Sequence, residues 1–232
     1  MCKLSVIIPV YNEEGSIAQV INEWASTLNK EQIDYQLCAY NDGSKDQTEN
    51  ILNDLLKTHP HLKVFHKKNA GHGPTILQGY KENLNSEWLF QVDSDNEIKA
   101  HNFIKLWEKK DQYDFLIGKR INRNGPLPRK IISYISYLSI RIFYGKGIED
   151  INCPFRLMRT SFINEFIDCI PNDTFAPNVI ISGMACLKKG RLFTYPVNFE
   201  FRKTGTVSIK KWKLLKAAIK SFFQTIKFRL SY

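Results

Sequence analysis

Strand-like and helix-like segments alternate four times within the first hundred residues. Each strand-like segment is short and mostly apolar, and it is followed by a polar loop and then by apolar residues at helical spacing. A continuous apolar run is typical of a parallel strand that is buried on both faces of a sheet. The alternation therefore predicts βαβ units and an α/β fold, in which helices flank a mostly parallel sheet. The four predicted strands are Leu4–Val10, with Pro9 at its exit, Tyr35–Tyr40, Leu62–Phe65 and Trp88–Phe90.

The alternation is less regular in the rest of the chain. Ser44 and Gln47 have the spacing of a capping box, which predicts that a helix begins at Ser44. Another helix is expected to begin near Ala100. The later elements are predicted as a strand at 113–118, a helix at 129–144, an irregular segment at 149–156, helices near 161–169 and 178–189, and a strand near 192–199. No internal repeat or linker indicates a second independent domain.

An acidic segment, Gln91–Glu97, follows the fourth predicted strand. It places Asp93, Asp95 and Glu97 at the carboxyl end of that strand, where open α/β sheets bind their ligands. Carboxylates at alternate positions suit Mg²⁺ or Mn²⁺, with phosphate oxygens and water completing the octahedron. On its own, however, this segment is equally consistent with an ordinary acidic turn.

The charge of the chain is unevenly distributed. The formal net charge is +10, yet acidic side chains are in excess over the first hundred residues, so the basic excess lies in the remainder. A basic half could face nucleic acid, anionic lipid or phosphorylated substrates. We expect no nucleic acid, because neither a helix-turn-helix signature nor an aromatic-basic strand motif is present.

The cysteines and apolar runs bear on where the protein acts. The five cysteines are scattered and include no C-x-x-C pair, so we expect neither a disulfide framework nor a zinc site, which favours a reducing cytoplasm. No apolar run reaches the roughly 20 residues needed to span a bilayer, and the N-terminal residues lack the pattern of a signal peptide.

Several motifs occur in the order found in one enzyme family. The segments Ser5–Glu13 (SVIIPVYNE), Asn41–Thr48 (NDGSKDQT), the glycine loop Asn69–Pro74 and Asp93–Asp95 resemble the nucleotide-sugar half of glycosyltransferase family 2. The later motifs Pro154–Arg156 and Phe201–Ser208 are similar to the dolichol-phosphate mannose synthase branch, whose bacterial members act on polyprenyl phosphates. The resemblance covers nearly the whole chain. It implies a GT-A fold over 1–208, with a donor half at 1–100 and an acceptor half at 101–208.

The resemblance also implies a donor site. Pro9, Tyr11, Glu13, Asp42 and Asp93 would bind a UDP- or GDP-linked sugar, and the backbone at Gly71 and Gly73 would approach it closely. Tyr11 could instead pack on the first helix, and Asp42 could be a turn residue. His72 has no visible partner in the sequence, so no role is predicted for it.

For the acceptor, the resemblance implies a group of basic side chains. The matching positions are Arg120, Arg129, Arg156 and Arg202, together with Ser208. A lipid monophosphate needs cations, because it is largely dianionic at neutral pH. A saccharide hydroxyl would instead need a base, for which Asp150 is the candidate. The predicted catalytic residues are therefore Asp93, Asp95, Arg129, Arg202 and Asp150.

One departure from the family pattern bears on the acceptor. The dolichol-type pattern has an acidic residue after Phe175, where this chain has Ala-Pro-Asn178. We expect an inverting, metal-dependent transferase with polyprenyl phosphate as its acceptor. The alternatives are transfer to a saccharide hydroxyl, a nucleotidyltransferase and a basic nucleic-acid-binding module. The nucleotidyltransferase lacks support because the first loop has no glycine-rich phosphate-binding pattern.

The C-terminal segment 209–232 is predicted to form a basic amphipathic helix. Apolar residues recur there at helical spacing among lysines, and 210–232 contains no acidic side chain. This composition is typical of a helix that lies in a membrane interface, although a helix that packs on the domain would show the same pattern. We expect a cytoplasmic protein, peripheral at the inner face of the membrane.

Overall fold

The computed structural model describes residues 2–121, 127–200 and 211–232. A seven-stranded sheet forms its centre. The strands are β1 (Leu4–Val10), β2 (Tyr35–Asn41), β3 (Leu62–His66), β4 (Trp88–Gln91), β5 (Phe115–Ile121), β6 (Arg156–Arg159) and β7 (Leu192–Asn198). They lie in the order β3-β2-β1-β4-β6-β5-β7. Only β6 runs antiparallel to its neighbours among these strands, which confirms the prediction of a mostly parallel sheet.

Helices connect the strands and cover the sheet. They are α1 (Ile17–Lys30), α2 (Thr48–Leu56), α3 (His72–Glu82), α4 (Phe103–Trp107), α5 (Leu127–Phe143), α6 (Thr160–Ile163), α7 (Pro177–Leu187) and α8 (Lys211–Ser231). Apolar residues at helical spacing bury one face of α1 against the sheet. Within the described ranges, every helix is too short or too polar to cross a bilayer.

Three of the predicted boundaries are wrong. α2 begins at Thr48, because the Ser44 hydroxyl accepts a hydrogen bond from the Asn12 N–H (2.9 Å) rather than capping a helix. The segment after Ala100 forms a 3₁₀ turn, Ala100–Asn102, before α4 begins. The helix predicted at 161–169 is split into α6 and the 3₁₀ turn Ile167–Cys169.

Strand β6 was not predicted, because Arg156 was placed at the end of an irregular segment. The strand has only four residues, and an arginine lies at each end. Its two central residues, Leu157 and Met158, are fully buried between β4 and β5. This short stretch is buried because β4 and β5 pair with it on either side. Four residues give too little alternation to indicate a strand from the sequence.

Aromatic side chains fix the strand that carries the acidic segment. Phe90 lies on β4 and contacts the rings of Trp24, Phe103 and Phe155, with centroid distances of 5.1, 4.9 and 4.8 Å. All four side chains are buried. Such pairs contribute about 0.5–1.5 kcal/mol each beyond their buried area. The cluster therefore holds the end of β4 rigidly against α1 and the 154–155 segment.

Helix α8 packs on the domain along one face. Ser221, Thr225 and Phe228 are buried there, and α8 contacts α5 and α7. The Tyr144 hydroxyl donates to the Thr225 carbonyl oxygen (2.6 Å), and Nε of Arg229 donates to the carbonyl oxygen at the end of α5 (2.9 Å). The helix predicted for the C-terminal segment is confirmed, and it is tied to the domain.

Candidate active site

The loops after β1 and β2 interlock at one edge of the sheet. The Glu13 N–H donates to Oγ1 of Thr48 (2.8 Å), and the Lys45 N–H donates to Oδ1 of Asn12 (2.8 Å). Together with the bond from the Asn12 N–H to Ser44, these contacts join the two loops into one unit. That unit contains Tyr11, Glu13 and Asp42, three of the residues predicted to bind a nucleotide.

Glu13 is linked to the acidic segment through Ser16. The Ser16 hydroxyl is buried and lies 2.8 Å from Oε2 of Glu13 and 2.9 Å from the Ser94 carbonyl oxygen. At the exit of β1, Pro9 is buried and Tyr11 is half-buried. The structure thus brings Pro9, Tyr11 and Glu13 to the sheet edge where the acidic segment begins. Their contacts with a nucleotide stay a prediction.

Asp42 anchors the glycine loop. The residue is only 3% exposed. Its carboxylate accepts hydrogen bonds from Nζ of Lys67 (2.6 Å), the Ala70 N–H (2.8 Å) and the Gly71 N–H (2.8 Å). Burial alone would raise the pKa of Asp42, but these hydrogen bonds outweigh it and lower the pKa below its ordinary value. This carboxylate thus holds the loop, and its direct contact with a nucleotide stays a prediction.

Glycine is required at positions 71 and 73 of this loop for different physical reasons. Gly71 has a φ of +94°, a conformation that side chains other than glycine rarely adopt, and a Cβ there would meet nothing within 4 Å. A Cβ on Gly73 would lie 2.1 Å from the Phe175 carbonyl oxygen. Gly73 is needed where α3 packs against the 174–175 backbone, and its predicted approach to the donor stays a prediction.

The acidic segment concentrates negative charge at the sheet edge. Burial and then the neighbouring charge of Asp93 raise the pKa of Asp95 to about 6. Burial and then the charge of Asp95 raise the pKa of Glu97 to about 8. Nδ2 of Asn96 is buried with no hydrogen-bond partner in the described structure. Carboxyls that resist ionisation because of one another are a setting that a divalent cation stabilises.

The predicted three-ligand metal site is not formed in this conformation. Within residues 2–121, 127–200 and 211–232, no group of three or more His, Cys, Asp or Glu side chains could hold a metal ion. Glu97 is instead hydrogen-bonded to Asp95. The donor chemistry still fits, because Mg²⁺ is commonly bound by one or two carboxylates that are completed by substrate phosphates. Asp93 and Asp95 are the candidate ligands.

His72 lies beside Asp93, although no partner was predicted for it. Nε2 of His72 is 3.7 Å from Oδ1 of Asp93, and its side chain is 60% exposed. His72 is the first residue of α3 and directly follows Gly71. The glycine loop therefore brings a possible hydrogen-bond donor next to the acidic segment.

The acidic side chains line a cleft. Its other lining residues come from the segment after β4, from Pro154 and Phe155 of the Pro-Phe-Arg motif, and from Phe199. The Glu200 N–H donates to the Glu97 carbonyl oxygen (2.9 Å), which attaches the segment after β7 to the acidic segment. Parts of both predicted halves of the chain thus meet at this cleft.

Arg120 and Asp150 form an ion pair close to the acidic segment. Nε and Nη2 of Arg120 donate to Oδ2 (2.8 Å) and Oδ1 (2.7 Å) of Asp150, and the Arg120 N–H also donates to Oδ2 (3.1 Å). The positive charge of Arg120 is near enough to oppose, in part, the raised pKa of Glu97. The structure therefore places one predicted phosphate-binding arginine beside the acidic segment.

Arg156 is not available for phosphate. Its side chain is fully buried, and its guanidinium donates to the carbonyl oxygens of Cys153, Ile151 and Asn178. The prediction that Arg156 binds the acceptor phosphate is wrong, because its donors hold buried backbone. Arg129 is the third residue of α5, and its side chain is not described. Arg202 and Ser208 lie outside the described residues.

Comparison with known proteins identifies the family. The family model for glycosyl transferase family 2 matches residues 5–167, which include β1 to β6 and the acidic segment. The chain belongs to glycosyltransferase family 2. That match ends before α7, so the C-terminal part of this transferase lies outside the family model.

Named relatives of this family 2 glycosyltransferase come from bacteria. It is 26% identical over 178 residues to an undecaprenyl-phosphate 4-deoxy-4-formamido-L-arabinose transferase of Photorhabdus laumondii. It is 28% identical over 178 residues to the protein of the same name in Enterobacter sp.. Each match covers 75% of this chain and 54% of the relative, so the chain spans about half the length of these proteins.

Solved structures share its fold. Glucosyl-3-phosphoglycerate synthase of Mycobacterium tuberculosis, in complex with Mn²⁺, UDP-glucose and phosphoglyceric acid, superposes with a TM-score of 0.71 at 14% identity, over 98% of this chain and 80% of that one. TarS of S. aureus with UDP-GlcNAc has a TM-score of 0.61 at 18% identity, over 99% and 73% of the two chains. The GT-A fold of this family 2 transferase is thereby confirmed.

Two residues at the site were not predicted from the sequence. Lys67 comes just after β3 and reaches Asp42, and His72 reaches Asp93. A lysine after a strand and a histidine within a glycine loop are both common, so only their position at the ends of parallel strands could have indicated them.

Proposed function

We propose that this family 2 glycosyltransferase moves a sugar from a UDP- or GDP-linked donor to a polyprenyl phosphate, with inversion at the anomeric carbon. The observation that carries the proposal is the acidic segment at the sheet edge, where burial and mutual repulsion raise the pKa values of Asp95 and Glu97. The Mn²⁺ and UDP-glucose bound by a protein of the same fold support the donor. The undecaprenyl-phosphate transferases among the relatives support the acceptor.

In the proposed reaction, Asp93 and Asp95 would hold Mg²⁺ or Mn²⁺, which would supply positive charge to neutralise the leaving nucleoside diphosphate. An acceptor phosphate oxygen attacks the anomeric carbon. The bond from that carbon to the donor diphosphate breaks, and the nucleoside diphosphate leaves with the electron pair. Arg120, Arg129, Arg202 and Ser208 orient the acceptor phosphate, since arginine engages phosphate oxygens through paired donors.

The second candidate is transfer to a saccharide hydroxyl, with Asp150 as the base. A base must accept the proton of the attacking hydroxyl. Both oxygens of Asp150 already accept hydrogen bonds from Arg120. The guanidinium stabilises the ionised carboxylate and makes it a weaker proton acceptor. This ion pair favours the lipid phosphate, which needs no base.

The experiment that tests this proposal compares acceptors and variants. The protein is assayed with UDP- and GDP-sugars against undecaprenyl phosphate and against a glycan. With lipid acceptor at saturating donor, Arg129→Ala and Arg202→Ala should lose about 1.5–3 kcal/mol of stabilisation, or roughly one to two decades in rate. Asp150→Asn should lose less than about tenfold, and Glu149→Gln, which removes the neighbouring ion pair with Lys119, is the matched control.

The opposite result would select the hydroxyl acceptor. Loss of a general base costs about 10²–10⁴-fold in rate. An Asp150→Asn variant that loses this much while both arginine variants work normally contradicts transfer to lipid phosphate.

We further propose that the protein is cytoplasmic and peripheral at the inner face of the membrane, through 209–232 and the adjacent α5. Exposed apolar side chains recur at helical spacing on both helices: Tyr134, Leu138 and Ile142 on α5, and Ile219, Phe223 and Leu230 on α8. On α8 they lie opposite the face that packs on the domain. Lys216, Lys220 and Lys227 are exposed beside them. Such a face suits an anionic leaflet, to which each lysine contributes about 1 kcal/mol.

A further inference from the structure

The side chain of Gln91, the first residue of the acidic segment, contacts Asp93. Gln91 is the last residue of β4 and is fully buried. Its Nε2 donates to Oδ1 of Asp93, two residues later, at 3.3 Å. In the described part of the chain, no hydrogen bond reaches Oδ2 of Asp93. One oxygen of this candidate ligand is therefore held by Gln91, and Asp93 lines the cleft.

Two donors fix the orientation of the Gln91 amide. Oε1 of Gln91 accepts from the Tyr80 hydroxyl (2.6 Å) and from Nδ2 of Asn178 (2.8 Å). If the amide were reversed, its NH₂ group would face the Asn178 NH₂ group, donor against donor. All of these side chains are buried, and an unmade hydrogen bond there costs about 1–3 kcal/mol. In this arrangement the amide nitrogen points at Asp93, whose carboxylate can only accept.

Asn178 is itself held in place by a buried cation. Nη1 of Arg156 donates to the Asn178 carbonyl oxygen at 3.0 Å. The same guanidinium binds the Cys153 carbonyl oxygen through Nε and Nη2. The network thus connects α3, α7 and the segment before β6 to a single oxygen of Asp93.

We propose that Gln91 is a positioning residue for Asp93, with Tyr80 and Asn178 acting through it. The inference rests on the proposed function, in which Asp93 binds a divalent cation. A carboxylate held by one oxygen presents the other in a fixed direction, so less ordering is required when the cation and the donor diphosphate bind. Outer hydrogen-bond partners of metal ligands typically contribute 10–100-fold to metal affinity.

The test is Mn²⁺ binding to the full chain in the presence of UDP and, separately, of GDP, measured by electron paramagnetic resonance of free Mn²⁺. Gln91→Leu should weaken Mn²⁺ binding by about 10–100-fold. Tyr80→Phe removes one orienting donor without touching Asp93 and should weaken it about threefold or more. Gln36→Leu is the matched control, because Gln36 is a buried glutamine that hydrogen-bonds Ser5 and Asn83. It should lower the melting temperature and leave Mn²⁺ affinity within twofold.

Each outcome decides the inference. Wild-type affinity in Gln91→Leu, with a melting temperature lowered as in Gln36→Leu, makes the amide a packing residue only and overturns the proposal. If Gln91→Leu does not fold, unchanged affinity in Tyr80→Phe overturns it and a loss of threefold or more supports it. Absence of Mn²⁺ binding in the wild type would instead reject the metal role of Asp93, and both proposals with it.

Discussion

Replacement of Arg156 by methionine separates a structural arginine from one that binds phosphate. The side chain is fully buried and makes four bonds to the carbonyl oxygens of Cys153, Ile151 and Asn178. Methionine fills a similar volume but has no donor. The variant therefore removes hydrogen bonds while it creates little cavity.

The expected loss of stability follows from what each carbonyl oxygen retains. The Ile151 oxygen keeps the hydroxyl of Ser182 at 2.8 Å, whereas the Cys153 oxygen loses both bonds from the guanidinium. An orphaned buried acceptor costs about 1–3 kcal/mol, and each other lost bond about 0.5–1.5 kcal/mol. Removal of a buried cation offsets part of this sum. We expect the free energy of unfolding to fall by about 3 kcal/mol.

Urea unfolding at neutral pH measures this change, and acceptor kinetics are recorded on the folded variant. Arg159→Met is the control on the same strand, since Arg159 is partly exposed and pairs with Asp114, and it should cost about 1 kcal/mol. We expect Arg156→Met to keep the wild-type KM for the acceptor. Near-native stability together with a tenfold higher acceptor KM would refute the reasoning and return Arg156 to the phosphate site.

Three further outcomes are expected. Asp95→Asn should lower turnover more than 100-fold and leave the melting temperature unchanged or higher, because burial and repulsion already raise the pKa of Asp95 to about 6; wild-type activity in EDTA would contradict a metal role. The lowered pKa of Asp42 contributes stability that is present above the ordinary carboxyl pKa and is lost as pH falls through the lower pKa of the folded state. Lys67→Met removes a hydrogen bond that lowers this pKa, so acid unfolding, followed by circular dichroism, should move to higher pH. Phe223→Asp should weaken cosedimentation with anionic vesicles, whereas Leu56→Asp, at an exposed position on α2, should not; equal effects would remove α8 from the interface.

Much of the fold could be predicted because the central strands are buried on both faces. Leu4–Val10, in which only Ser5 is polar, and Trp88–Phe90 are apolar runs. Such runs indicate strands without knowledge of their neighbours. Residues 156–159 could not be predicted in this way. Their two arginines dominate the local composition, and the strand exists because β4 and β5 both pair with it.

The position of the site could be predicted, but the role of each residue in it could not. Asp42 follows a strand, which correctly placed it at the sheet edge, yet the groups that engage it come from residues 67–71. Glycine is needed at position 73 because of the close backbone of Phe175, about a hundred residues away in the chain. Long-range contacts of this kind leave no local pattern, so sequence motifs indicate where chemistry occurs before they indicate which group performs it.

The antiparallel β6 has a consequence for how the chain reaches its native state. β4 is the last strand of the first hundred residues, and its second neighbour is supplied only by Arg156–Arg159. Until that segment has been synthesised, β4 is an edge strand whose unpaired N–H and C=O groups are open to other chains. Truncation of the chain before residue 156 would therefore leave β4 with an exposed, aggregation-prone edge. Strand pairing over such a sequence separation also forms slowly. While β4 waits for β6, its exposed edge is prone to aggregation, and chaperones would be needed at this stage of folding.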